Sequence, residues 1–207
     1  TYRREYFASH PARVIVVHLS ADKPGQLSGS IALTDRHGAR IGVADHRLYS
    51  TGTLAGWTPP HADAARANPA PTLNVLDYAA QAQVINSGGA LGKTGEKITF
   101  TACDSLTILI GAGTSYVPDA ARAFQGVHPL PTVTATVNAA AARALADLRT
   151  EQRKDHRGLF ERVRLQLGQT PSERRLLTTD QRLSRHALDG ADPELEALLF
   201  QFGRYLL

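Results

Sequence analysis

The sequence predicts an antiparallel β-sandwich followed by helices. Three observations lead there. Short β-branched or alternating runs recur at turn-marked intervals up to about Tyr116, the apolar period turns helical from Thr132, and the two patterns are segregated along the chain. Segregation argues against βαβ units.

The run Val14 to Val17 is continuous and β-branched, as expected of a central strand buried on both faces. Lys23-Pro24-Gly25 supplies a type II turn, after which Leu27, Gly29, Ile31 and Leu33 alternate with small residues as a half-buried strand. Further strand pieces are expected at Ile41 to Tyr49, Leu73 to Ile85, Lys97 to Thr101 and Leu106 to Gly111, separated by Gly, Asn, Asp and Pro clusters. From Thr132, Val133, Val137, Ala141, Leu145 and Leu148 form one stripe that predicts a long connecting helix reaching Phe160, weakened near its end by Gly158. Val163, Leu165 and Leu167 then read as a brief strand before Gly168, and a short helix is expected from Thr179.

The last thirteen residues, LEALLFQFGRYLL, predict a helix of a different kind. Asp192 suits the N-cap, Pro193 the first helical position, and Glu194 and Glu196 the positive end of the dipole. Leu195, Leu198, Leu199, Phe202, Tyr205 and Leu206 share one face, and Phe200, Gly203 and Leu207 add a second stripe. No glycine or asparagine closes it. Leaving about seven large apolar side chains uncovered costs on the order of 10 kcal/mol, so the expectation is that the chain is cut here and its cover lies elsewhere. Thr1 and the lack of any methionine give the same expectation for the start, and a signal peptide would lie upstream.

Composition is that of an ordinary globular protein, 43% hydrophobic and 20% charged. No apolar run approaches the roughly 18 residues of a membrane span, and no signal segment is present, so membrane insertion is not expected. The net charge of +4 is spread along the chain with acids interleaved, which argues against a nucleic-acid partner. Cys103, the single cysteine, cannot form an internal disulfide.

Among local motifs, Gly88 to Gly95 (GGALGKTG) imitates a phosphate-binding loop, but Ser87 stands where the first glycine is needed and Glu96 to Thr101 alternates like a strand. A hairpin turn is the better reading. The eight histidines lie too far apart in sequence to propose a metal site, and no Gly-x-Ser-x-Gly elbow is present. The acidic residues sit in turns, near helix starts or on charged helix faces, with no candidate pair for glycosidic acid and base work. Trp57, in the loop TGTLAGWTPP, is the one candidate sugar contact, by stacking on a ring; it would equally pin that loop to the sandwich. No catalytic residue, metal ligand or cofactor site is assigned.

Four stretches carry a wider resemblance: REYFASHPARVIVVHLSADKPGQLS (4 to 28), AQVINSGGALGKTGEKITFTACDSLTILIGAGTSY (82 to 116), HRGLFERVRLQLG (156 to 168) and DPELEALLFQFGRYLL (192 to 207). Together they resemble the N-terminal part of glycoside hydrolase family 95, the α-L-fucosidases. The resemblance implies an incomplete antiparallel β-sandwich over residues 1–131, a helical linker with a short strand over 132–191, and over 192–207 the first helix of an α/α six-hairpin barrel. It further implies an inverting, exo-acting parent enzyme that removes terminal α-1,2-linked fucose, using a glutamic acid and an aspartate-polarised asparagine that both lie beyond this sequence. The chain itself is then expected to be inactive and to need no cofactor, the partner to be a fucosylated oligosaccharide or a plant or host glycan, and the location to be extracellular or periplasmic. Two other readings stay open, a carbohydrate-binding sandwich module and an assembly domain that docks through its terminal helix.

Overall fold

The computed structural model describes residues 1–55 and 76–206, which form two compact units, Thr1–Gln152 and Arg153–Leu207. Trp57 and the expected strand residues Leu73 to Val75 lie outside the described residues.

The first unit contains β1 (Tyr2–Ser9), β2 (Val14–Ala21), β3 (Leu27–Ala32), β4 (Arg40–Ala44), β5 (Arg47–Thr53), β6 (Asp77–Ser87), β7 (Ala90–Thr94), β8 (Lys97–Cys103) and β9 (Ser105–Thr114), then α1 (Leu130–Ala141) and the start of α2 (Leu145–Phe160). A six-stranded sheet runs in the order β1-β2-β9-β6-β5-β4, and a second sheet in the order β3-β8-β7, every pairing antiparallel. The expected sandwich of antiparallel sheets followed by helices is therefore present.

Strand alternation builds two cores on opposite faces of the larger sheet. Val14, Val16, Ala79 and Leu109 pack with Val133, Val137, Ala140 and Leu148 of the helices. Leu48, Ala82, Val84, Leu106 and Ile108 pack instead with Ile98 and Cys103 of the smaller sheet. Val14 and Val16 are buried as the sequence predicts, but three strands cannot cover six, and Ile15 is 50% exposed. The close approach of α1 depends on glycine: a Cβ at Gly111 would stand 2.7 Å from Val137 Cγ2. Arg149 of α2 adds a bidentate pair to Glu5 of β1, at 2.8 and 2.6 Å.

Two expectations for this unit need correction. Ile41 to Tyr49 is a hairpin and not one strand, because Asp45 and His46 both adopt positive φ (49° and 57°) and close a two-residue turn without glycine. The connecting helix is two helices. A straight helix from 132 to 160 would run about 43 Å across a six-stranded sheet only about 24 Å wide. The break at 142–144 returns Leu145 and Leu148 to the sheet's core.

The second unit holds the end of α2, α3 (Ser172–Arg175), α4 (Thr179–Asp189) and α5 (Pro193–Leu206). Gln181 accepts the Thr178 N–H at 3.3 Å in a capping box, and Gly190 ends α4 with φ of 63°, its N–H donating to the His186 carbonyl. The brief strand expected at Val163 to Leu167 does not form: this stretch has no regular secondary structure and pairs with no strand among the described residues, so its alternating pattern has no sheet to join.

Candidate functional site

The segment that imitates a phosphate loop is a hairpin. Gly88 and Gly89 turn the chain with φ of 65° and 60°, Lys93 lies in β7, and its Nζ donates to the Val43 carbonyl at 3.1 Å. No helix follows it, so the helix N-terminus that holds phosphate is missing here. Among the described residues no cluster of His, Cys, Asp and Glu could hold a metal ion, and no helix is long and apolar enough to cross a membrane. His18 pairs with Thr107 at 3.0 Å, and Cys103 is buried. Burial lowers the pKa of His18 against the opposing pull of Glu5.

The second unit brings its polar groups together around the start of α5. Asp192 is fully buried and caps α5 as the sequence predicts, accepting the Leu195 N–H at 3.1 Å. It also accepts Arg182 Nε at 2.9 Å, Arg182 Nη2 at 2.7 Å and the Thr170 hydroxyl at 2.6 Å. Beside it Arg174 forms a second fork, to Asp189, at 2.8 and 2.5 Å. The Arg182 guanidinium holds the Asp192 carboxyl well below the usual range, helped by Thr170 and the Leu195 amide, while burial opposes them. Arg174 does the same for Asp189, with the Ala191 amide second. A general acid in glycoside hydrolysis must keep its proton near neutral pH. Both carboxyls are driven the other way, so they serve as anchors.

The far end of α5 is fixed differently. Arg204 donates to the Val163 carbonyl at 2.7 Å and the Phe160 carbonyl at 2.8 Å, and its guanidinium lies 4.9 Å from the centre of the Phe160 ring. Tyr205 meets His156 edge to face at 5.6 Å. These contacts explain the Arg-Tyr pair of FQFGRYLL: one side chain satisfies carbonyls at the end of α2, and the other packs against its last turn. Leu195 alone of the predicted apolar face is buried; Leu199 is 68% and Leu206 67% exposed, with Leu198, Phe202 and Tyr205 close behind.

Sequence reasoning found Asp192 as a cap but missed Thr170, Arg182 and Arg204. Their partners lie 10 to 44 residues away, and no periodicity links such positions. The one available signal was the surplus of arginines between 174 and 185 beside Asp189 and Asp192.

Residues 1–119 match the family model described as glycosyl hydrolase family 65, N-terminal domain, and residues 144–207 match the glycosyl hydrolase family 95 catalytic domain. The chain belongs to the glycosyl hydrolase family 65 N-terminal domain family, and its helical end is similar to the family 95 catalytic domain. The resemblance to family 95 seen in the sequence is thereby borne out, and the sandwich carries the family 65 name. Alpha-L-fucosidase 2 of Arabidopsis thaliana is 26% identical over 218 residues, spanning 100% of this chain and 26% of that protein. Probable alpha-fucosidase A of Aspergillus oryzae is 36% identical over 109 residues, 49% of this chain and 15% of that protein. The chain thus spans about a quarter or less of the length of these relatives.

Proposed function

We propose that this chain is the sandwich and lead-in of an exo-acting α-L-fucosidase, with α5 as the first helix of its α/α six-hairpin barrel. The observation that carries this reading is the similarity to alpha-L-fucosidase 2 across the whole chain, with the family 95 match falling on the helical part. The exposed apolar face of α5 fits it, since such a face suits a helix that further barrel helices cover. The substrate proposed is a terminal α-1,2-linked fucose on an oligosaccharide or a plant or host glycan, hydrolysed with inversion outside the cell or in the periplasm. The carboxyls of Asp189 and Asp192, held below the usual range by their arginines, are unsuited to donating a proton near neutral pH, which agrees with chemistry placed further along the protein.

The test is to assay the 207-residue chain and a longer product that includes a complete family 95 domain on a 2′-fucosylated lactose, following the released anomer by NMR. The longer protein should release fucose with the β anomer first, and the 207-residue chain should release none. Failure of the longer protein to cleave, or turnover that follows the purified shorter chain, overturns the proposal.

A further inference from the structure

A cleft of about 250 Å³ opens in the first unit, between the end of β9, α1 and the segment after Tyr116. Its wall includes Arg13, Ser115, Tyr116, Thr132, Val133 and Thr136. A cleft of that size has room for one sugar ring.

The wall is prepared, not incidental. Residues 115–126 fold back on themselves through Gly126 N–H to the Ser115 carbonyl, Val117 N–H to the Phe124 carbonyl at 3.1 Å, and a bridge between Tyr116 and Gln125. Within that turn Ala123 and Phe124 both adopt left-handed backbone, with φ of 49° and 60°. For a bulky residue such as Phe this is costly and persists only where the surroundings enforce it. Its result is that Phe124 lies parallel to Tyr116, with ring centres 6.2 Å apart and planes within 5°. Tyr116 is nevertheless 54% exposed, so a buttressed aromatic plane is held at the cleft with much of its surface in water.

The polar groups have complementary character. Thr132 and Thr136, hydroxyl-bearing residues one turn apart on α1, line the wall. Arg13 comes from the β1–β2 turn with φ of 54°, and its guanidinium has no hydrogen-bond or ion-pair partner among the described residues. A pyranose has an apolar C–H face and a rim of hydroxyls. An aromatic plane, two hydroxyls and a planar donor that can grip paired oxygens match both features.

We propose that this cleft binds a single pyranose ring, giving the sandwich a sugar site of its own. Membership among the glycoside hydrolases makes a glycan the natural ligand, and the site stands whether or not the parent enzyme cleaves fucose.

The experiment titrates the 207-residue chain, labelled with nitrogen-15, with methyl α-L-fucoside, methyl β-D-galactoside and methyl α-D-galacturonate. At least one should give saturable shifts at 115–117 and 132–136, with Kd on the order of 1 mM. Tyr116→Ala should weaken that binding at least about tenfold, and Tyr116→Phe, which keeps the plane, should stay within about twofold. Thr132→Trp, at an exposed position on α1, should fill the cleft and abolish binding even if Tyr116→Ala unfolds the turn. Absence of saturable shifts with all three sugars overturns the proposal, as does wild-type affinity in folded Tyr116→Ala or Thr132→Trp. Self-association that Tyr116→Ala removes, with no sugar bound, also overturns it in favour of a protein contact.

Discussion

The two units hold themselves together by different means. The first buries Val16, Leu48, Ile98, Leu106, Leu109 and Val137 to 1% exposure or less, in two cores that sandwich one sheet. Among its described residues the second buries only Leu195 of its apolar side chains, and its other buried residues are Thr170 and Asp192. Apolar burial supports the first; arginine forks and helix caps support the second. Core burial depends on many small contacts and survives the loss of one, whereas a fork fails once either partner is removed.

The largest effect is therefore expected from Asp192→Ala. It strands the Arg182 charge and removes the cap of α5 together with the Thr170 bond. A loss of about 3 kcal/mol is expected, the low end for breaking a buried pair, because the stranded Arg182 guanidinium keeps some contact with water. Hydrogen exchange should show fast amides in α4 and α5 with β6 and β9 unchanged; equal loss in both units would break the contrast. Acid provides the same test without mutation. The Asp192 and Asp189 values are depressed on folding, so their contribution is fully present above the unfolded carboxylate range near pH 4. It is lost as pH falls from there toward the much lower folded values. Circular dichroism between pH 5 and pH 2 should show helix loss that begins below about pH 4, and Asp192→Asn should flatten that dependence.

The reverse experiment strikes the first unit. Gly111→Val places a side chain where even a Cβ would meet Val137 at 2.7 Å, and should cost about 2 kcal/mol by overpacking. Chemical denaturation followed by amide signals should show β2, β6 and β9 opening earlier while α4 stays protected.

This contrast also explains what could be read from the sequence. Periodicity records which face of an element is buried, so the strands around Val14, Leu27, Ile98 and Leu106 and the Val133–Val137 stripe were legible. The turn at Asp45-His46 was not, because no glycine marks it, although Asp and His tolerate left-handed backbone better than most side chains. Val163 to Leu167 alternated without becoming a strand, since alternation cannot report whether a partner edge exists. The Asp192 node was half legible: a cap is local and readable, whereas Arg182 and Thr170 reach it only through the fold. Trp57, the residue singled out for sugar contact, lies outside the described residues, and Tyr116 carries the aromatic plane that the structure places at a cleft.

A smaller effect is expected at the other end of α5. Arg204→Met keeps much of the stem that packs there but loses the bonds to the Phe160 and Val163 carbonyls, and should cost about 1 kcal/mol. Exchange should quicken in the last turns of α2 and α5 but leave Asp192 and the start of α5 closed. Loss of the whole unit would mean that its two ends are not separately anchored.

The most direct measurement compares hydrogen exchange of residues 193–206 in this chain with the same residues in a longer protein that carries the full family 95 domain. The account predicts that α5, whose apolar face is exposed here, gains protection of at least about a hundredfold in the longer protein as helices cover Leu199, Phe202 and Leu206. Strands β6 and β9 should exchange alike in both. Equal exchange of α5 in the two proteins would contradict its placement as the first helix of the barrel.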